Sequence, residues 1–197
     1  MARPRAVLVG AHPVVDSFSM ALFAAAQEGL SSSYDVAALD LHRLGFDPVM
    51  GAEEWEAYVA GTPSPTGMLA EHAELVATAD LLCFVYPTWW FGPPAMLKGW
   101  LDRVFMPGVS FTLDDTGRVR PALHQLSTVV GVSTYGALRT YTRFFADGGR
   151  RMLHRALRLN APRRVRREWF GLYGMDGQDD EGRDRFLETV RSGMAAL

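Results

Sequence analysis

The sequence predicts an α/β fold: a doubly wound, five-stranded parallel sheet of order 2-1-3-4-5, with a small hairpin inserted. Three observations predict it. Short apolar runs alternate with segments of helical periodicity along the whole chain. One of those runs, LLCFVY, is apolar at every position, as a strand covered on both faces must be. Parallel strands also require crossover connections, and a right-handed crossover through a helix is what each intervening segment supplies. At 197 residues with 48% hydrophobic content, the chain is long enough to close one sizeable core. No internal repeat or linker divides it, so residues 1–197 read as one domain.

In chain order, Ala6 to Val9 is the first strand, and SFSMALFAAAQEGL the first helix, with Ser17 as its N-cap. DVAALDL is the second strand. HRLGFDPVMGAEEW reads as a long irregular connection, and PTGMLAEHAELVATAD as the second helix. LLCFVY, the third strand, runs into YPTWWFGPPAMLKGWLDRVF, whose prolines suit a helix start because the first turn needs no amide donors. GVSFTLDDTGRVRPAL reads as a hairpin around Asp115-Thr116-Gly117. LSTVVGVST is the fourth strand, Tyr141 to Leu159 a helical region, RVRREWFGLYG the fifth strand and Asp180 to Leu197 the final helix.

Composition narrows the function. A formal charge of −2 gives no overall footprint for nucleic acid. Arg150, Arg151, Arg155, Arg158, Arg163, Arg164, Arg166 and Arg167 cluster in the last third, which fits a solvated helix face and a charge-guarded edge strand better than a polyanion site. The apolar run before His12-Pro13 is too short for a signal sequence or a membrane span, so a cytoplasmic protein is expected. Cys83 is the only cysteine and lies within the third strand, which points to a buried, inert thiol.

Ligands of doubly wound sheets bind outside the carboxyl ends of the strands, where the strand order reverses. In the order 2-1-3-4-5 that places three loops side by side: GAHPVVDS, YPTWWFG and STYGAL. The first lacks the glycine fingerprint of a dinucleotide site. Ser17, Phe18 and Ser19 nevertheless open a helix whose free amides and dipole favour a phosphate, and His12 is placed to donate to the same anion. An ordinary helix start remains the other reading of this loop. In the second loop Trp89, Trp90 and Phe91 stand among prolines where the backbone turns, so they cannot all be core. They suit the walls of a site for a flat ligand, an aromatic lid over the core or a dimer contact being the alternatives. A planar cofactor that carries a phosphate is a flavin.

The block YPTWWFGPPAMLKGWLDRVF, with GAHPVVDSFSMAL before it and STYGALRTY after it, resembles the flavodoxin-like NAD(P)H:quinone oxidoreductases. This family includes mammalian DT-diaphorase and the bacterial drug-activity modulator and potassium-efflux ancillary reductases. The resemblance runs in order from about Ala6 to Tyr141. It implies a flavodoxin-like fold, a flavin (FAD or FMN, with FAD favoured by the second loop), NADPH or NADH as co-substrate, and a homodimer whose sites lie at the subunit interface. The implied reaction is two-electron, ping-pong hydride transfer to quinones, with azo or nitroaromatic compounds as further acceptors. No metal is implied.

Carried over by position, His12, Ser17, Phe18 and Ser19 correspond to the ribityl and phosphate loop. Pro87, Thr88, Trp89, Trp90 and Phe91 correspond to the segment under the flavin ring, and Ser133, Thr134, Tyr135 and Gly136 to the loop on its pyrimidine side. Trp90, Phe91 and Tyr141 form the implied substrate sandwich, with Tyr141 the implied catalytic residue. Trp100 and Phe105, on the helix after the aromatic loop, are implied to approach the partner subunit. Two departures stand out. Tyr135 replaces a family glycine, and Ala146-Asp147-Gly148 occupies the place where the family carries a histidine. An ancillary flavin subunit of a membrane transporter and a one-electron carrier are the alternative functions; a carrier would show a strongly acidic rim, which this chain lacks.

Overall fold

The computed structural model describes residues 3–145 and 147–197. Among these residues, β1 (Arg5–Gly10), β2 (Asp35–Asp40), β3 (Leu81–Pro87), β6 (Thr128–Tyr135) and β7 (Arg166–Tyr173) form one sheet in the order β2-β1-β3-β6-β7. Every neighbouring pair is parallel. This is the predicted 2-1-3-4-5 order. The inserted hairpin is β4 (Phe111–Leu113) paired with β5 (Val119–Pro121), turning through Gly117 at φ +75°.

Burial explains the sheet's sequence. All residues of β3 and β6 are buried, so these central strands show no in-and-out alternation: β3 is apolar throughout and β6 is apolar at its centre, with Thr128, Ser133 and Thr134 toward its ends, while the edge strands β2 and β7 are only partly covered. Alternate residues of each central strand serve opposite faces. Ala6, Leu8, Leu81, Cys83 and Val85 pack under α1 (Phe18–Leu30) and α7 (Asp180–Ala195) with Leu22, Leu30, Val190 and Met194. Val7, Val9, Leu82, Phe84 and Tyr86 pack under α3 (Gly67–Ala77), α4 (Ala95–Val104) and α6 (Gly148–Arg155) with Val76, Leu97, Trp100 and Leu153. α1 and α7 touch closely because Gly29 has no side chain: a Cβ there would lie 2.3 Å from the Arg191 carbonyl oxygen. Cys83 is fully buried, and that burial pushes its thiol far up from its ordinary range.

Two expectations need correction. The connection after β2 is not irregular throughout, because it contains α2 (Ala52–Val59). This helix has no buried residue, so it shows no core stripe; Glu53 and Glu54 favour its amino end. Both oxygens of Glu54 accept from Arg103 Nε at 3.0 Å, which ties α2 to α4. The region from Tyr141 to Leu159 is helical as expected, in three pieces, α5 (Arg139–Phe144), α6 and a 3-10 turn (Ala156–Leu159), and between α5 and α6 Asp147 takes a left-handed φ of +39°. Trp100 does not face outward toward a partner. It is fully buried beneath the sheet, because α4 turns its apolar stripe inward. On the edge strand, Arg166 pairs with Glu168 at 2.8 Å, in keeping with a charge-guarded edge. No described helix is long and apolar enough to cross a membrane.

Candidate functional site

The carboxyl ends of β1, β3 and β6 are adjacent, so the loops that follow them meet above the sheet. The ladder continues past the strands: the Ala11 amide donates to the Val85 carbonyl at 3.1 Å, and the Thr88 amide to the Thr134 carbonyl at 2.8 Å. Hydroxyls line the seam. Thr88 Oγ1 lies 2.8 Å from Ser133 Oγ, and Ser19 Oγ lies 3.5 Å from Thr134 Oγ1. His12 faces Trp89, with ring centroids 6.0 Å apart. Thus His12 and Ser19 from the first loop, Thr88 and Trp89 from the second, and Ser133 and Thr134 from the third come together, as the strand order requires.

At the first loop, Ser17 is the N-cap of α1. Its Oγ accepts from the Met20 amide at 3.3 Å, and its carbonyl accepts from the Met20 and Ala21 amides. The amides of Phe18 and Ser19 precede the first intrahelical bond and point from the positive end of the helix dipole. His12 Nδ1 lies 3.1 Å from the Val14 amide and 3.2 Å from the Val14 carbonyl, so it is engaged within its own loop and Nε2 is the ring nitrogen left to face a ligand.

The second loop is a tight turn made from unusual residues. The Trp89 and Gly92 amides each donate to the other residue's carbonyl at 3.0 Å, and the two residues between them, Trp90 and Phe91, both have left-handed φ values of 49° and 59°. A turn of this kind normally carries Asn-Gly, because left-handed backbone costs other residues about 1–2 kcal/mol each. Trp90 is 98% exposed and Trp89 47% exposed, so neither is a lid over the core. Phe91 is half-buried: its ring lies 4.4 Å from that of Phe145, and its carbonyl accepts from the Gly148 amide at 2.9 Å. The turn is therefore braced from α5 and α6. Strain held by such bracing is characteristic of functional loops.

In the third loop Gly136 is exposed, while Tyr135 turns its ring away from the open edge. The ring stacks on Tyr173 at 4.4 Å, and the hydroxyl donates to Asp147 Oδ2 at 2.9 Å. Burial and the nearby Asp147 carboxylate hold the phenol far above its ordinary range. Only the backbone of Tyr135 is left to face a ligand. Tyr86 reaches up behind this loop; its hydroxyl would lie 2.5 Å from a Cβ at position 149, so Gly149 is what lets α6 approach. Tyr141 is exposed on α5 and lines a shallow depression with Phe144 and Phe145, of which Phe145 is the one in contact with Phe91. Of the segment that replaces the family histidine, Ala146 lies outside the described residues; Asp147 and Gly148 are tied to Tyr135 and Phe91. The sequence reading missed Phe145, Asp147 and Tyr173. Phe145 and Asp147 are close in sequence to Tyr141, but Tyr173 joins only through the β6–β7 pairing.

Comparisons with known proteins place the fold in a family. The NAD(P)H dehydrogenase [quinone] 1 of Cavia porcellus is 36% identical over 126 residues, which cover 55% of this chain and 45% of that protein. The ribosyldihydronicotinamide dehydrogenase [quinone] of Rattus norvegicus is 33% identical over 169 residues, covering 75% of this chain and 71% of that protein. The chain thus spans about half the length of the first of these relatives and more of the second. The solved NAD(P)H:quinone oxidoreductase from Methanothermobacter marburgensis is 27% identical and superimposes with a TM-score of 0.77, covering 100% of this chain and 96% of that one. Residues 4–191, nearly the whole chain with all five strands and the three converging loops, match the flavodoxin-like fold family, and the chain belongs to it.

Proposed function

We propose that this chain is a flavin-dependent NAD(P)H dehydrogenase acting on quinones, with residues 1–197 forming one flavin-binding domain. The observation that carries the reading is the meeting of three features on one edge: the open amide end of α1, the strained aromatic turn, and the seam of hydroxyls between β3 and β6. Its residues fit the group. The amides of Phe18 and Ser19, with Ser17 and the Nε2 of His12, suit the phosphate; Pro87, Thr88, Trp89, Trp90 and Phe91 suit the flat ring; Ser133, Thr134, Gly136 and the backbone of Tyr135 suit its polar edge. Bound there, a flavin supplies hydride chemistry between a nicotinamide and a quinone.

The chain's own part is to position the reactants and exclude water. Trp90 and Phe91 offer flat faces that select planarity more than identity, so azo and nitroaromatic compounds are expected as further acceptors. The Tyr141 hydroxyl is suited to donate to a quinone carbonyl and to stabilise the charge that develops on it, in keeping with its exposure on α5 near the Phe91–Phe145 contact. Two chains pair as a homodimer to cover the exposed aromatic rim of Trp90, Tyr141 and Phe144. FAD is the favoured flavin, on the likeness of the second loop to the mammalian-type reductases.

The visible spectrum of the purified protein tests the reading, followed by mass analysis of the released cofactor and an assay of NADPH and NADH oxidation with a quinone. A yellow protein that turns over is expected. Colourless protein that leaves the fluorescence of added FMN and FAD unquenched overturns the proposal.

A further inference from the structure

Three arginines converge beside the site. Arg139 and Arg143 on α5 and Arg150 on α6 line a cavity of about 190 Å³ together with Thr142, Asp147 and Tyr173. Among the described residues none of the three arginines forms an ion pair. Two are held over aromatic rings: the guanidinium carbon of Arg139 lies 5.9 Å from the Tyr173 ring centre, and that of Arg150 lies 5.9 Å from the Trp169 ring centre. The lone carboxylate is already engaged, since Asp147 Oδ2 accepts from the Tyr135 hydroxyl and Oδ1 from the Arg150 amide at 3.1 Å. Three guanidinium groups against one carboxylate leave a positive pocket on a chain whose formal charge is −2, so the excess is local.

The pocket adjoins the elements that brace the proposed reaction site. Arg139, Thr142 and Arg143 share α5 with Tyr141, and Asp147 adjoins Gly148, whose amide holds the Phe91 carbonyl. Guanidinium groups match phosphate oxygens with paired donors, and stacking on an aromatic face fixes their direction without neutralising them. We propose that this pocket binds a phosphate group of the nicotinamide nucleotide while its reducing end occupies the aromatic site. The inference rests on the NAD(P)H reading above and adds to it how the donor is held. Two phosphates carry the same chemistry: the 2′-phosphate found only in NADPH and the diphosphate common to both nucleotides.

Calorimetric titration of the purified protein with 2′,5′-ADP and with 5′-ADP separates these sources and requires no turnover. Arg143→Gln and Arg150→Gln should each weaken binding at least tenfold, with Arg143→Lys retaining part of it, and circular dichroism and flavin content unchanged. A loss confined to 2′,5′-ADP assigns the 2′-phosphate and predicts a raised KM for NADPH alone. A loss larger for 5′-ADP, which alone of the two carries a diphosphate, or an equal loss through the 5′-phosphate they share, assigns the diphosphate arm and predicts raised KM values for NADPH and NADH, with kcat held in either case. Absence of binding to the unsubstituted protein, or binding that the glutamine variants leave intact, overturns the proposal. So does a rise in KM only for an anionic acceptor such as a sulfonated azo dye. Should the nucleotide fragments bind while neither NADPH nor NADH is oxidised, the phosphate site stands and the enzymatic reading fails.

Discussion

The indole Nε1 of Trp100 donates to Nδ1 of His72 at 3.1 Å, between two side chains that are both closed off from solvent. His72 also stacks on Phe46 at 5.7 Å. Because Nδ1 is the acceptor, the imidazole is neutral with its proton on Nε2, and burial pushes its pKa below the ordinary value of 6.5, with Glu71 opposing weakly. Burial lowers His154 as well. The sign follows from linkage: below about pH 6.5 the unfolded chain takes up protons that the folded chain refuses. This stability is complete above that value and is lost as pH falls toward the lowered folded pKa. Thermal melts should show Tm falling from pH 7 to pH 5, and His72→Gln, whose side-chain carbonyl can still accept from Trp100, should flatten the slope. An unchanged slope would reject the assignment to His72.

The same contact predicts what substitution of Trp100 does. Trp100→Phe keeps an aromatic ring but leaves the buried Nδ1 of His72 without a donor, at a cost of about 1–3 kcal/mol. Trp100→Ala adds a cavity and should cost about 3–5 kcal/mol. Urea unfolding measures both. Sedimentation of Trp100→Phe should show the same assembly as the unsubstituted protein, since the residue is core and not interface; dissociation of a dimer by this variant would return Trp100 to the contact.

Trp100 also marks where the sequence stops being legible. The strand order was readable because LLCFVY is apolar without a break and STVVGVST has an apolar centre, and only central strands of a parallel sheet are buried on both faces. The exposure of Trp89 and Trp90 was readable from the prolines around them. The inward turn of Trp100 was not, because Trp100 and Phe105 read in sequence as two aromatics near the end of one helix, and only the position of the sheet shows that Trp100 lies on the covered face. Nor was α2, which buries nothing. The left-handed turn at Trp90-Phe91 had no Asn or Gly to announce it, and Tyr135 finds Tyr173 only when β6 and β7 pair, 38 positions apart in sequence.

Trp90 separates function from stability. At 98% exposure in the single chain it has almost no packing within its own fold to lose, so Trp90→Ala should change the stability of the chain itself by less than about 0.5 kcal/mol, with any weakening of the dimer read separately by sedimentation. If its ring is a wall of the substrate site, NAD(P)H-dependent quinone reduction should fall at least tenfold, or about 1.4 kcal/mol of transition-state stabilisation. Flavin content has to be measured on the same sample, because lost cofactor imitates lost catalysis. Full turnover in a flavin-loaded Trp90→Ala protein would remove this ring from the site.

The backbone at Trp90 gives a second and opposite test. Its φ of 49° is retained in Trp90→Ala, whose Cβ meets the same crowding, so that variant keeps the strain while losing the ring. Asparagine tolerates left-handed backbone and is the residue a two-residue turn of this kind prefers at its first central position, without the entropy cost of glycine. Trp90→Asn should therefore be more stable than Trp90→Ala by about 0.5–1 kcal/mol in urea unfolding, and more stable than the unsubstituted protein as well. Both variants lack the aromatic wall, so both should be equally poor in quinone reduction. Equal stability of the two would mean that the turn stores no strain at Trp90. Restored turnover in Trp90→Asn alone would mean that the shape of the backbone, and not the indole face, is what the reaction uses.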